Sequence, residues 1–301
     1  MIGVLFPGQG SQFVGMLRPF KQHGPIFRDL IDSADAALGY SLSNIIAKGP
    51  LDLLTRTEHA QPAILLASIC HWTWWRETKA QPEAEFVMAG HSLGEYSALV
   101  AGGYLSLQAG LRLTALRGRI MSECAIKENP GMMIALNTSQ RSLLDECQAR
   151  LQEWLDPNKG SISAYNSSLQ LVLAGTVSHL EQIMTLITEH CPKVKVHRLR
   201  NVSCAFHSPL MRPAQERFRQ EAQGIFTLTS PSTNRNIVLS NVTAEPVISS
   251  DSFIHVMFSI LQNKSLRDYV TKLWPPYVGE KAWKHCYELD ARKFGQWVPQ
   301  P

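Results

Sequence analysis

The stretch that most constrains this chain is the G-x-S-x-G pentapeptide Gly90-His91-Ser92-Leu93-Gly94. It follows the apolar run Phe86-Val87-Met88-Ala89 and precedes residues 95–101, which read as a helix closed by Gly102-Gly103. A strand that turns abruptly into a helix holds the middle residue in a strained conformation with its hydroxyl exposed. Glycines two residues to either side let neighbouring backbone approach. The helix that starts just after Ser92 points free N–H groups and a positive dipole end at any oxyanion formed there. Ser92 is therefore read as a nucleophile. Pentapeptides of this kind also occur in ordinary turns, and it is the strand and helix around this one that favour chemistry.

A strand–elbow–helix unit belongs in an α/β fold with a parallel sheet. Residues 2–6 form a short apolar run suited to a strand buried on both faces, stopped by the glycine-rich loop Pro7-Gly8-Gln9-Gly10-Ser11-Gln12. Such a loop lies at the ligand-bearing edge of a parallel sheet, which makes Gln9 a candidate site residue. A phosphate loop is excluded by the missing lysine and glycine spacing. Phe27, Leu30, Ile31, Ala34 and Leu38 recur at helical spacing up to Gly39, and Gln61-Pro62 is expected to open the next helix with proline in its first turn. Ser106 can cap a helix from 107 to about 124, on which Arg112, Arg117 and Arg119 are indistinguishable by pattern.

From Gly131 the pattern changes. Residues 132–136, 161–165, 171–174 and 194–199 read as strands and 142–154 and 179–190 as helices, the β-α-β-β-α-β order of a ferredoxin-like unit. Inserted between two halves of a larger sheet, it would wall a cleft over the elbow. His207 lies in the loop where the chain returns, Ser203-Cys204-Ala205-Phe206-His207-Ser208-Pro209, and is well placed to reach Ser92. A further strand is expected over 236–242 and a helix over 253–262.

Composition narrows the function classes. At 301 residues and 45% hydrophobic, the chain can form one large domain with an insertion, or two domains. Lys plus Arg exceed Asp plus Glu by only 29 to 25 with no basic run, so nucleic acid is not implied. Six scattered cysteines without a C-x-x-C pair read as reduced thiols of a cytoplasmic protein. The first residues read as a strand and not a signal peptide, and no window reaches the roughly eighteen apolar residues a membrane helix needs.

Assembled, these stretches resemble the malonyl-CoA:acyl carrier protein transacylases, most of all the stand-alone acyltransferases that serve polyketide synthases in trans. The resemblance runs through residues 6–12, Gln61-Pro62-Ala63, the elbow with Glu95-Tyr96-Ser97, Leu116-Arg117-Gly118-Arg119, Tyr165-Asn166-Ser167, Ala205-Phe206-His207-Ser208 and Ser240-Asn241-Val242-Thr243. It implies an α/β-hydrolase-like large domain with a parallel sheet (1–127 and 200–301) and an inserted ferredoxin-like subdomain (128–199). It implies Ser92 as nucleophile and His207 as general base, oriented by the backbone carbonyl of Gln262. The N–H groups of Gln9 and Leu93 would form the oxyanion hole. Arg117 would bind the malonyl carboxylate, Asn166 would line the acyl pocket, and Phe206 would favour unsubstituted malonyl. No metal or resident cofactor is implied: malonyl-CoA is a substrate, and the phosphopantetheine belongs to the partner, an acyl carrier protein. A monomer without membrane or nucleic-acid contacts is expected.

The chain departs from the family's pattern at Cys204, commonly glycine, at Ser168, often proline, and after Gln262. There Lys264-Ser265-Leu266 replaces the usual run and a late Gly-x-Gly is absent, with Tyr287-Glu288-Leu289 a remnant of the last strand. The rival readings are an acyl hydrolase that clears carrier proteins, whose mostly uncharged substrates would not suit Arg117, and a general esterase. The esterase would need an acid between serine and histidine in the chain, and Asp145 and Asp156 fall in the insertion's helix and turn.

Overall fold

The computed structural model of the chain describes residues 2–79, 84–128, 130–199, 202, 204–225, 236–240, 245–247 and 287–288. Its first sheet forms around the two apolar runs of the sequence. Strand β1 (Ile2–Phe6) pairs in parallel with the strand before the elbow. Helices α1 (Pro25–Leu38), α2 (Leu42–Lys48), α3 (Leu51–Thr55) and α4 (Thr57–Thr78) intervene before that strand, β2 (Phe86–Gly90). The elbow leads into α5 (Gly94–Gly102), and α6 (Leu107–Glu128) follows. Strand β2 is buried on both faces, Phe86 and Met88 on one and Val87 and Ala89 on the other, as expected of a parallel sheet covered on two sides.

The second sheet comprises β3 (Gly131–Asn137), β4 (Gly160–Ser167), β5 (Gln170–Thr176) and β6 (Lys195–Arg198), with helices α7 (Arg141–Trp154) and α8 (Val177–His190). Its order is β4-β5-β3-β6 and every neighbouring pair is antiparallel, the ferredoxin-like arrangement expected from the sequence. Met132, Ile134, Leu136, Leu173, Leu180 and Ile183 form its own core on one face. The chain then returns through α9 (Arg212–Ala222), β7 (Asn236–Val238) and β8 (Tyr287–Glu288). The first sheet has the order β7-β2-β1-β8, all pairs parallel. The strand remnant at Tyr287-Glu288 thus closes one edge beside β1.

One local expectation is corrected. Helix α4 begins at Thr57, so Pro62 lies inside it and not in its first turn. Proline there removes an intrahelical bond, and tertiary packing compensates. Gly118 of α6 sits so close that an added Cβ would lie 2.4 Å from the Thr57 carbonyl, and Ala60 and Gln61 are buried at this crossing. Helices α2, α3 and α9 were not anticipated; α9 is strongly polar, and its apolar residues Ala214, Phe218 and Ala222, spaced by four, are all buried. The strand expected over 236–242 is described only to Val238, after which Leu239 pairs with Pro246. The helix expected over 253–262 lies outside the described residues.

Candidate active site

The elbow owes its shape to backbone crowding. A Cβ on Gly90 would fall 1.9 Å from the Gly94 carbonyl carbon, and one on Gly94 would fall 2.3 Å from the Phe6 carbonyl oxygen. Only glycine lets β1, the turn and the start of α5 come this close. Ser92 sits at the tip with φ of 54°. His207 has φ of 59°. Left-handed conformations cost non-glycine residues on the order of 1–3 kcal/mol each, so both candidate reacting residues are held by the surrounding packing against local preference. The His207 loop is pressed onto the second sheet, since a Cβ on Gly131 would meet the Ala205 nitrogen at 2.1 Å.

These constraints bring together residues 115 positions apart: Ser92 Oγ lies 2.9 Å from His207 Nε2. Arg117 completes the cluster. Its Nη2 donates to Ser92 Oγ at 3.3 Å and its Nη1 to Gln61 Oε1 at 2.9 Å, while its guanidinium lies over the Tyr96 ring at 5.8 Å. The three arginines that the helix pattern left equivalent are now distinct. Arg117 is 2% exposed, whereas Arg112 donates to the Ala37 carbonyl at the surface and Arg119 pairs with Glu221 at 2.8 Å. Burial pulls the Arg117 pKa down, and the Tyr96 hydroxyl and the buried Glu95 carboxylate oppose it. An arginine stays charged in such surroundings. Its Nε is buried without a hydrogen-bond partner among the described residues, a donor available to an anionic group.

Leu93 is the N-cap of α5, so its N–H is one of the helix-start donors without an intrahelical acceptor. The elbow's own bonds run from the N–H groups of Gly94, Glu95 and Tyr96 to the carbonyls of His91, Ser92 and Leu93. Gln9 lies in the loop after β1, its side chain donating to Thr57 Oγ1 at 3.3 Å. That loop abuts the elbow: a Cβ on Gly8 would lie 2.6 Å from His91 Nδ1. Asn166, on β4, donates to Gln170 Oε1 at 2.7 Å and acts on the His91 ring. Phe206 is buried in the core shared by the two sheets, just before His207. Gln262 lies outside the described residues. Gln61, Tyr96 and Glu95 stood in matched stretches, but the sequence assigned them no role, because only the α4–α6 and α5–α6 contacts reveal that they surround Arg117.

The alternative acids are occupied elsewhere. Asp145 pairs with Arg141 at 3.4 Å and Asp156 with Lys159 at 3.1 Å, both on the surface of the second unit. Among the described residues no cluster of His, Cys, Asp or Glu could hold a metal ion, and no helix is long and apolar enough to cross a membrane.

Residues 4–263 match the family model described as acyl transferase domain. The chain is 37% identical over 241 residues to the malonyl CoA-acyl carrier protein transacylase of Haemophilus influenzae, covering 79% of this chain and 73% of that protein. It is 33% identical to the polyketide biosynthesis malonyl CoA-acyl carrier protein transacylase PksC of Bacillus subtilis, covering 82% and 79%. Among solved structures it resembles a malonyl-transacylase in complex with its type II polyketide synthase acyl-carrier protein AntF. The TM-score is 0.76 at 31% identity, with 90% of this chain and 84% of that one covered. With its elbow serine within hydrogen-bond distance of both the histidine and the buried arginine, the chain belongs to the acyl transferase domain family, among the malonyl CoA-acyl carrier protein transacylases.

Proposed function

We propose that this protein moves malonyl from coenzyme A, through an ester on Ser92, to the phosphopantetheine thiol of an acyl carrier protein in fatty acid or polyketide biosynthesis. The observation that carries the reading is Arg117. It is a buried cation with one guanidinium nitrogen 3.3 Å from the same Ser92 oxygen that lies 2.9 Å from His207 Nε2. The planar fork of arginine donates parallel bonds to a carboxylate, so an acyl group bearing one at its far end is matched, and an uncharged one leaves the buried Arg117 Nε donor without an acceptor. This argues against the hydrolase alternative, whose substrates are mostly uncharged.

On this reading His207 takes the Ser92 proton as the hydroxyl attacks the thioester carbonyl, and returns it to the leaving coenzyme A sulfur. The N–H groups of Gln9 and Leu93 receive the developing oxyanion, where losing one donor costs on the order of 3 kcal/mol. The carrier's thiol then repeats the steps in reverse. Thioester and ester exchange is nearly balanced, so the protein's work is charge stabilisation and exclusion of water. His207 would be oriented by the carbonyl of Gln262, as the family resemblance implies. Asn166 and Phe206 would shape the acyl pocket. The thiol chemistry comes from substrate and partner, with no resident cofactor, and the free cysteines suit a cytoplasmic enzyme. We read it as a monomer divided into 1–127 with 200–301, and 128–199.

Intact mass after incubation with malonyl-CoA tests this directly. One malonyl adduct is expected, absent in Ser92→Ala and discharged onto added holo acyl carrier protein. Adduct lost to water at the same rate with and without carrier would instead establish the hydrolase.

A further inference from the structure

The loop after β1 carries the Gln9 N–H on a backbone that reverses at Gly10, whose φ of 110° suits glycine alone. Among the described residues that N–H meets no acceptor, which leaves it available to an oxyanion. Two side-chain bonds close within the loop. Ser11 Oγ donates to the Gly8 carbonyl at 2.9 Å, and the Gly10 N–H donates to Gln12 Oε1 at 2.8 Å. They give the loop its internal shape but do not fix where it stands against the elbow. On one side contact does so, since a Cβ on Gly8 would lie 2.8 Å from the His91 carbonyl oxygen. On the other, a single side-chain hydrogen bond among the described residues leaves the loop: Gln9 Nε2 donates to Thr57 Oγ1 at 3.3 Å.

Thr57 is itself firmly mounted. It is the first residue of α4 and 7% exposed, and its carbonyl is pressed onto α6, where a Cβ on Gly118 would lie 2.4 Å from the oxygen. Gly118 follows Arg117 in the chain. The threonine therefore stands on the crossing of the two helices that supply Gln61 and Arg117. Its branched side chain has few rotamers in a helix, so the hydroxyl is placed before Gln9 reaches it. Among the described residues that hydroxyl makes no hydrogen bond to the start of its own helix, so capping does not account for it. Gln9 is half-buried, with a long side chain that an ordered acceptor can hold at little further loss of freedom.

We propose that Thr57 is a positioning residue for acyl transfer: by accepting from the Gln9 side chain it holds the loop after β1, and with it the Gln9 N–H, in place against Ser92. The inference rests on the transferase reading above and on the oxyanion role it gives Gln9. The thioester carbonyl that would meet this N–H is common to every acyl group, whereas Arg117 answers only a carboxylate at the far end. Loosening the loop therefore lowers the rate of acylation for charged and uncharged acyl groups alike. Substrate affinity and acyl preference stay as they are.

Single-turnover acylation of Ser92 is compared in Thr57→Val, which keeps the shape without the hydroxyl, and Thr57→Ser, which keeps the hydroxyl. Thr57→Val is expected to slow the maximal rate about 5- to 50-fold with malonyl-CoA and acetyl-CoA alike. Its malonyl-CoA affinity and malonyl-to-acetyl ratio stay within about twofold, and Thr57→Ser recovers to within about threefold of wild type. Gln9→Met keeps the N–H and removes the side-chain donor, so it should slow acylation as Thr57→Val does, and the double variant should be no slower than either, as for two halves of one bond. If Thr57→Val fails to fold, Gln9→Met carries the same expectation. The proposal is overturned if these variants acylate at the wild-type rate, if serine does not rescue, if the loss lies in affinity or falls on malonyl alone, or if the two single losses add. Labelling of Ser92 by a small fluorophosphonate, whose phosphoryl oxygen takes the oxyanion's place without coenzyme A, should slow in Thr57→Val and return in Thr57→Ser. Unchanged labelling would overturn the proposal whatever the natural acyl group. A wild-type protein that the phosphonate labels but malonyl-CoA does not acylate counts against the transferase reading instead.

Discussion

Replacing Arg117 with alanine should slow malonyl loading and change which acyl group the enzyme prefers. The guanidinium is 2% exposed and its Nη1 is held by Gln61 at 2.9 Å, so its orientation is set before substrate arrives. Hydrogen bonds to charged groups contribute about 1.5–3 kcal/mol each, and truncating one side of a buried charge pair costs about 2–5 kcal/mol. A loss of about 3–5 kcal/mol in malonyl recognition corresponds to roughly 100- to 4000-fold in kcat/KM. Acetyl, which has no carboxylate, leaves Arg117 unmatched in the native protein and is relieved of that penalty in the variant. The substitution also strips a partner from Gln61 and a countercharge from buried Glu95, so overall activity and stability fall for reasons unrelated to malonyl. The ratio cancels those losses. Malonyl-CoA and acetyl-CoA are therefore competed in one reaction and the adducts on Ser92 resolved by intact mass. The malonyl-to-acetyl ratio should fall by at least about 100-fold in Arg117→Ala, and less in Arg117→Lys, which keeps the charge without the fork. An unchanged ratio would refute the assignment of Arg117 to the carboxylate.

Two further outcomes follow from backbone crowding and from burial. Gly90→Ala places a Cβ 1.9 Å from backbone that cannot retreat and should destabilise the fold by at least about 3 kcal/mol, while Gly224→Ala, with nothing within 4 Å, should be near neutral in the same thermal melts; equal melting of the two would contradict this account of the elbow. His91 is held neutral by burial, its pKa below the ordinary 6.5, so the unfolded chain takes up a proton that the folded one refuses. Stability should accordingly fall as pH drops below about 6.5, by up to about 1.4 kcal/mol per pH unit for one proton. His91→Gln should flatten that slope in urea titrations at successive pH values, and an identical slope in the variant would exclude this origin.

Much of the site could be read along the chain because its parts are local. The elbow needs glycine at positions 90 and 94, and the crowding at both shows why no other residue serves. The alternation of strands and helices from 131 to 199 predicted the order of the second sheet, since each strand's burial pattern is written in its own residues. The loop histidine was singled out by position, and its 2.9 Å approach to Ser92 followed. Other features had no local signature. Pro62 looked like a helix start because sequence rules cannot see Gly118 packing against the turn before it. Thr57 is an ordinary helix-start residue until the loop after β1 is laid against it.

The division has a physical cause. Conformational preference and hydrophobic periodicity act between residues a few positions apart, so the sequence by itself determined the strands, the strained serine turn and the α/β class. Choosing Arg117 over Arg112 and Arg119 from pattern alone was impossible, since all three lie on the same helix; family likeness named it, and the tertiary structure gave the reason. Only the packing of α6 against α4 and α5 sinks that one side chain among Gln61, Tyr96 and Glu95, within 3.3 Å of the serine. Burial and charge are properties of the surroundings, and those exist only once distant segments have met.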